Sequence, residues 1–103
     1  MTEFRRVADV NDILPGNRAV VEVDDRKLAI FNVEGAFYAT DSTCPHRRGP
    51  LGEGSLYGTT VSCPWHGSQF DVTNGNVLGP PASIGVTSYS TKVEDGGVWV
   101  AIP

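Results

Sequence analysis

The segment C-P-H-R-R-G-P-L, residues 44–51, is echoed by C-P-W-H-G-S-Q-F, residues 63–70, and together they hold both cysteines and both histidines of the chain. As a pattern the pair reads C-x-H, sixteen intervening residues, then C-x-x-H, with Cys44 and His46 in one arm and Cys63 and His66 in the other. Thiolate and imidazole are metal ligands, so a chain that gathers all of them into two matching turns has to fold so that the turns meet. Each arm supplies one sulfur and one nitrogen. Four such ligands would make a tetrahedral zinc site, although zinc fingers usually pair Cys with Cys and His with His. They also match, in number and type, a 2Fe-2S cluster with two Cys on one iron and two His on the other. A third reading needs no metal, because free Cys is commonly buried for packing alone.

The rest of the chain reads as a β scaffold. Its 103 residues suit one domain, 1–103, and 12 Gly with 7 Pro and no repeat point to many turns rather than disorder. Val20–Val23, Leu28–Val33 and Val98–Ile102 are short β-branched and apolar runs bounded by turn formers, and they predict strands. Asp24-Asp25, Glu34-Gly35 and Asp95-Gly96-Gly97 lie between such runs and predict antiparallel meanders. Helix is expected only over Val10–Leu14, with Asp9 as N-cap and Pro15-Gly16 as the stop. From about 41 to 81 Gly and Pro recur every few residues around short strands at Thr59–Ser62 and Gln69–Val72, an insert that carries the site on a rigid support.

A net charge of -4 argues against nucleic-acid binding, which usually needs a basic stripe. The opening M-T-E-F-R-R-V has no apolar run of signal-peptide length, and no stretch approaches membrane-spanning length. A cytoplasmic chain that binds neither nucleic acid nor membrane is expected, and reducing conditions there favour metal ligation over a disulfide.

C-P-H-R-R-G-P-L and C-P-W-H-G-S-Q-F-D-V-T-N-G resemble the two cluster-binding boxes of Rieske proteins, and the following G-P-P resembles that family's proline-containing covering loop. The resemblance is specific over Cys44–Pro81, and the flanking strands are compatible with it. It implies an all-β Rieske fold, small antiparallel sheets in a sandwich-like arrangement with a cluster-binding subdomain inserted. It implies one 2Fe-2S cluster with Cys44 and Cys63 on one iron and His46 and His66 on the other. It further implies a stand-alone ferredoxin, an electron carrier and not an enzyme, passing electrons from a flavoprotein reductase to a terminal ring-hydroxylating dioxygenase in aromatic hydrocarbon catabolism. The chain cannot be the oxygenase itself, because no His remains for a catalytic 2-His-1-carboxylate iron once His46 and His66 are assigned. The other roles considered are a Rieske-type small subunit of a larger enzyme such as a nitrite reductase, and a zinc-stabilised interaction module.

Neighbouring residues bear on the chemistry. Phe70 and Trp65 are expected to pack, Trp65 with a possible place over the cluster edge, and Trp99 to lie in the core. Gly49, Pro50, Gly67, Gly75 and Gly79 are expected to serve turns. Arg47 and Arg48 form a basic spot that is either a solvated loop or a steering patch for an acidic redox partner. By the resemblance, imidazole N–H groups of His46 and His66 couple reduction to protonation, so the midpoint should fall as pH rises into the alkaline range.

High-potential respiratory members carry two further Cys that staple the boxes, where this chain has Gly49 and Trp65, and a Ser and a Tyr that donate toward sulfur. Ser68 is retained, as a tuning donor or an ordinary turn serine, whereas Phe70 stands for the Tyr. Rieske centres span roughly -150 to +300 mV, and hydrogen bonds to sulfur adjust the value within that range. The midpoint should therefore lie in the lower part of the range. A redox titration with a strongly positive midpoint would contradict this.

Overall fold

The structure is a computed structural model that describes residues 3–43, 49–65, 67–80, 82 and 84–103. Its strands are β1 (Glu3–Asp9), β2 (Arg18–Val23), β3 (Arg26–Val33), β4 (Ala36–Asp41), β5 (Ser55–Tyr57), β6 (Thr60–Ser62), β7 (Gln69–Asp71), β8 (Val77–Gly79), β9 (Ser88–Tyr89), β10 (Thr91–Glu94) and β11 (Gly97–Ile102). They form three antiparallel sheets, ordered β1-β11-β10, β2-β3-β4-β9 and β5-β6-β7-β8. The all-β expectation holds, and the sandwich-like layering follows from how β3 is buried.

Successive residues of a strand face opposite sides, so a strand covered on both faces is apolar throughout. Leu28, Ala29, Ile30 and Phe31 of β3 are all fully buried. Leu28 and Ile30 join Ile13, Phe37, Ala39, Val98, Val100 and Ile102 in one core. Ala29 and Phe31 join Leu51, Val61, Cys63, Phe70, Val72 and Ala82 in the other. The β2-β3-β4-β9 sheet is therefore the middle layer, with the three-stranded sheet on one face and β5–β8 on the other. Each fully buried Phe contributes about 1.5–3 kcal/mol of transfer free energy.

Turn chemistry fixes the registers. Asp24 and Asp25 have φ of 50° and 65°, Glu34 and Gly35 52° and 93°, and Asp95 and Gly96 52° and 72°. Positive φ at both central residues marks the type I′ turn, whose twist matches that of two paired strands. Each joins neighbours in register: Val23 opposite Arg26, Val33 opposite Ala36, Glu94 opposite Gly97.

Three expectations need correction. The helical segment is a single 3-10 turn over Val10–Asp12, closed by the reciprocal caps of Asp9 and Asp12. It stops at Ile13, whose backbone is extended at φ -127° and ψ 98°, and the buried Asn32 amide donates to the Ile13 carbonyl at 2.7 Å. Trp99 lies half-buried on the outer face of its sheet, not in the core. Its indole N–H donates to the Glu94 carbonyl at 3.1 Å and the Lys92 ammonium sits 5.6 Å from its ring. Gly79 belongs to β8, opposite Gln69, rather than to a turn.

The segment between β4 and β9 leaves and rejoins the middle sheet at adjacent places, since Ala39 pairs with Tyr89 and Thr40 with Ser88. The Tyr89 hydroxyl donates to Asp41 Oδ1 at 2.6 Å and accepts from Arg26 at 3.2 Å. Burial raises the Tyr89 phenol above its ordinary value of 10.0; the hydrogen bond to Asp41 adds to the rise and Arg26 opposes it. The folded chain thus holds this proton more tightly than the unfolded chain. The associated stability is complete below the unfolded pKa and is lost as pH rises through the folded one. Denaturant titrations between about pH 9 and pH 11 should show the parent losing more stability than Tyr89→Phe, and equal losses would contradict the raised pKa.

Candidate metal centre

The second box is a closed turn. The Cys63 amide donates to the Ser68 carbonyl at 2.8 Å and the Gly67 amide to the Cys63 carbonyl at 3.0 Å. Gly67 has φ +77°, a conformation open to Gly at little cost. With its backbone groups used inside the turn, Cys63 presents its sulfur to the core and is only 3% exposed. Downstream, Asp71 organises D-V-T-N-G: its Oδ1 accepts from the Thr73 amide and hydroxyl, and its carbonyl accepts from the Gly75 amide.

The first box is bracketed by a bridge between Thr43 and Pro50, followed by a 3-10 turn over Leu51–Glu53 that buries Leu51 in the same core as Cys63. Two glycines let this exit lie against its neighbours. A β-carbon on Gly52 would strike the Val20 side chain, and one on Gly54 would strike the Ser62 carbonyl. Neither position stood out in the sequence, because close approach of backbones separated in the chain leaves no local signal.

The two boxes touch at Gly49. A β-carbon built there would lie 2.6 Å from Cys63 Sγ and 3.4 Å from Trp65 Cβ. A buried sulfur, freed from turn duties and facing the end of the opposite box, suits a thiolate ligand better than an isolated packing thiol. Among the described residues no group of three Cys, His, Asp or Glu is gathered for a metal. Cys44, His46, Arg47, Arg48, His66 and Pro81 lie outside the described residues.

Phe70 is fully buried and packs as expected, whereas Trp65 is 57% exposed, a correction to its expected packing role. Its Cβ and its ring atom Cδ2 both lie 3.4 Å from the place of a Gly49 β-carbon, so one edge of the indole rests on the first box while the rest is exposed. Ser68 is fully buried, so it is no ordinary turn serine. Its hydroxyl oxygen accepts the Ala82 amide at 3.0 Å, a long-range bond with no signature in the sequence. The Asp41–Tyr89 pair at the entrance to the first box also escaped the sequence reading, since each residue alone reads as a strand-end polar group.

The 3.4 Å spacing at positions 49 and 65 is near the separation of β-carbons in a disulfide, about 3.5–4.5 Å. The variant Gly49→Cys with Trp65→Cys should therefore form a 49–65 bond on mild oxidation, even though displacing the Cys63 sulfur costs about 1–3 kcal/mol. Peptide mapping that finds no such bond would contradict the apposition of the boxes.

Comparison with known proteins agrees with this fold. A ferredoxin component of the naphthalene 1,2-dioxygenase system from Pseudomonas putida is 37% identical over 86 residues, 84% of this chain and 83% of that protein. A Sphingomonas yanoikuyae B1 ferredoxin superposes with a TM-score of 0.92 at 31% identity, covering 98% of this chain and all of that one. A chain in the complex of reduced oxygenase and oxidized ferredoxin of carbazole 1,9a-dioxygenase superposes with a TM-score of 0.89 at 34% identity, covering 95% and 92% of the two chains. The model of the Rieske [2Fe-2S] domain matches residues 3–90, and the chain belongs to that family.

Proposed function

We propose that the chain is a one-electron carrier that takes electrons from a flavin-dependent reductase and delivers them to a terminal ring-hydroxylating oxygenase in the cytoplasm. Family membership carries the 2Fe-2S cluster, and the relatives carry the partner class: one serves a naphthalene dioxygenase system and another shares a complex with an oxygenase. No helix among the described residues is long and apolar enough to cross a membrane. The single domain 1–103, with its cluster-binding part at about 41–81, belongs to this proposal. So does the ligand set Cys44, His46, Cys63 and His66.

The bound cluster would supply a one-electron couple, and the chain supplies its setting. Cys63 offers a thiolate from a turn whose backbone hydrogen bonds are already made, so binding requires little reordering of that arm. Neutral imidazoles at His46 and His66 replace two thiolates and remove two negative charges, which makes accepting an electron easier. Phe70 and Leu51 keep water from the sulfur side of the site. Residues outside the boxes need do no chemistry, because a carrier transforms no substrate.

The observation that carries the proposal is the meeting of the two boxes at Gly49 and Cys63. Electron paramagnetic resonance of the dithionite-reduced protein should give the lowered average g of a mixed His/Cys cluster, and replacing either His46 or His66 should abolish it together with the visible absorption. A colourless zinc protein, or a spectrum unchanged by either replacement, would contradict the assignment.

A further inference from the structure

After β8 the chain runs back past the second box to β9, and three long-range hydrogen bonds fasten this return strap. Ala82 N–H donates to Ser68 Oγ at 3.0 Å, Val86 N–H to the Gly75 carbonyl at 2.8 Å, and Asp41 N–H to the Thr87 carbonyl at 2.9 Å. The last two are between backbone groups, and the contact there is tight. A β-carbon on Gly75 would strike the Val86 carbonyl, and one on Gly85 the Gly75 carbonyl. At Ala82 the fastening depends on a side chain.

That side chain is well placed. Ser68 is fully buried, and its own carbonyl accepts the Cys63 amide at 2.8 Å. One residue thus bonds through its backbone to the turn that holds Cys63 and through its hydroxyl to the strap. We propose that Ser68 is a positioning residue whose hydroxyl oxygen, by accepting the Ala82 N–H, pins the strap onto the Cys63 turn. This differs from donation toward sulfur. Accepting an N–H uses a lone pair of the oxygen and leaves the hydroxyl proton free for another partner, so the two roles are separable.

Ala82 is 8% exposed, so an N–H that loses its acceptor there has little water to turn to. Local opening should then be favoured at the strap and nowhere else. The pin is a contact within the chain and does not rest on the proposed function.

The test is hydrogen exchange read by mass spectrometry on the protein as purified, comparing the peptide that contains Ala82 with peptides from β2–β4. Ser68→Ala should speed exchange in the Ala82 peptide by about tenfold while β2–β4 stay as in the parent. Ser68→Thr, which keeps the oxygen, should restore protection. Unchanged exchange at Ala82 in Ser68→Ala, equal acceleration in β2–β4, or Ser68→Thr behaving like Ser68→Ala would each overturn the proposal. Iron content of the same samples reports on the cluster separately, so a failure of that reading is distinguishable from a failure of the pin.

Discussion

The close approach of Gly49 to Cys63 is the contact on which the site depends, because it brings the end of one box against the buried sulfur of the other. Two loops separated in sequence do not meet unaided; closing them costs chain entropy that has to be offset elsewhere. The β5–β8 sheet supplies the support. It holds the second box between β6 and β7, and the core it shares with β3 includes Leu51, just past the first box, and Cys63 itself. Gly52 and Gly54 then allow the exit of the first box to lie flat against Val20 and Ser62.

Beneath this, β3 ties the site to the rest of the molecule. Its alternate residues enter two different cores, so packing on the far sheet and packing around Cys63 share one strand. The insert returns to the middle sheet beside the point it left, where Asp41 and Tyr89 join entry to exit. A rigid frame of this kind suits an electron carrier, since a redox centre that rearranges little on gaining an electron exchanges it readily with a partner.

The central strands were legible in the sequence. Leu28–Phe31 is apolar without a break because both faces are covered, and Val98–Ile102 is apolar throughout as well. Two-residue turns at Asp24-Asp25 and Glu34-Gly35 were legible from their turn-forming residues. By contrast β1, E-F-R-R-V-A-D, is an edge strand largely exposed along its first half, and β10 is mostly exposed as well. Both are defined by pairing with β11, and pairing with a distant segment leaves no hydrophobic period to read. The helical turn with Asp9 as its cap was legible, but its end was not, because the extended backbone at Ile13 goes with a bond to Asn32, nineteen residues further on. Cys63 could be singled out from its motif alone, whereas the roles of Ser68, Gly49 and Tyr89 depend on residues far away in the chain.

The central claim is that two irons sit between these boxes in unlike surroundings, thiolate on one side and imidazole on the other. Mössbauer spectroscopy of the oxidised protein enriched in 57Fe tests it most directly. The account predicts two quadrupole doublets of equal area with distinct isomer shifts. A single doublet, or a chain that takes up no iron, would contradict it.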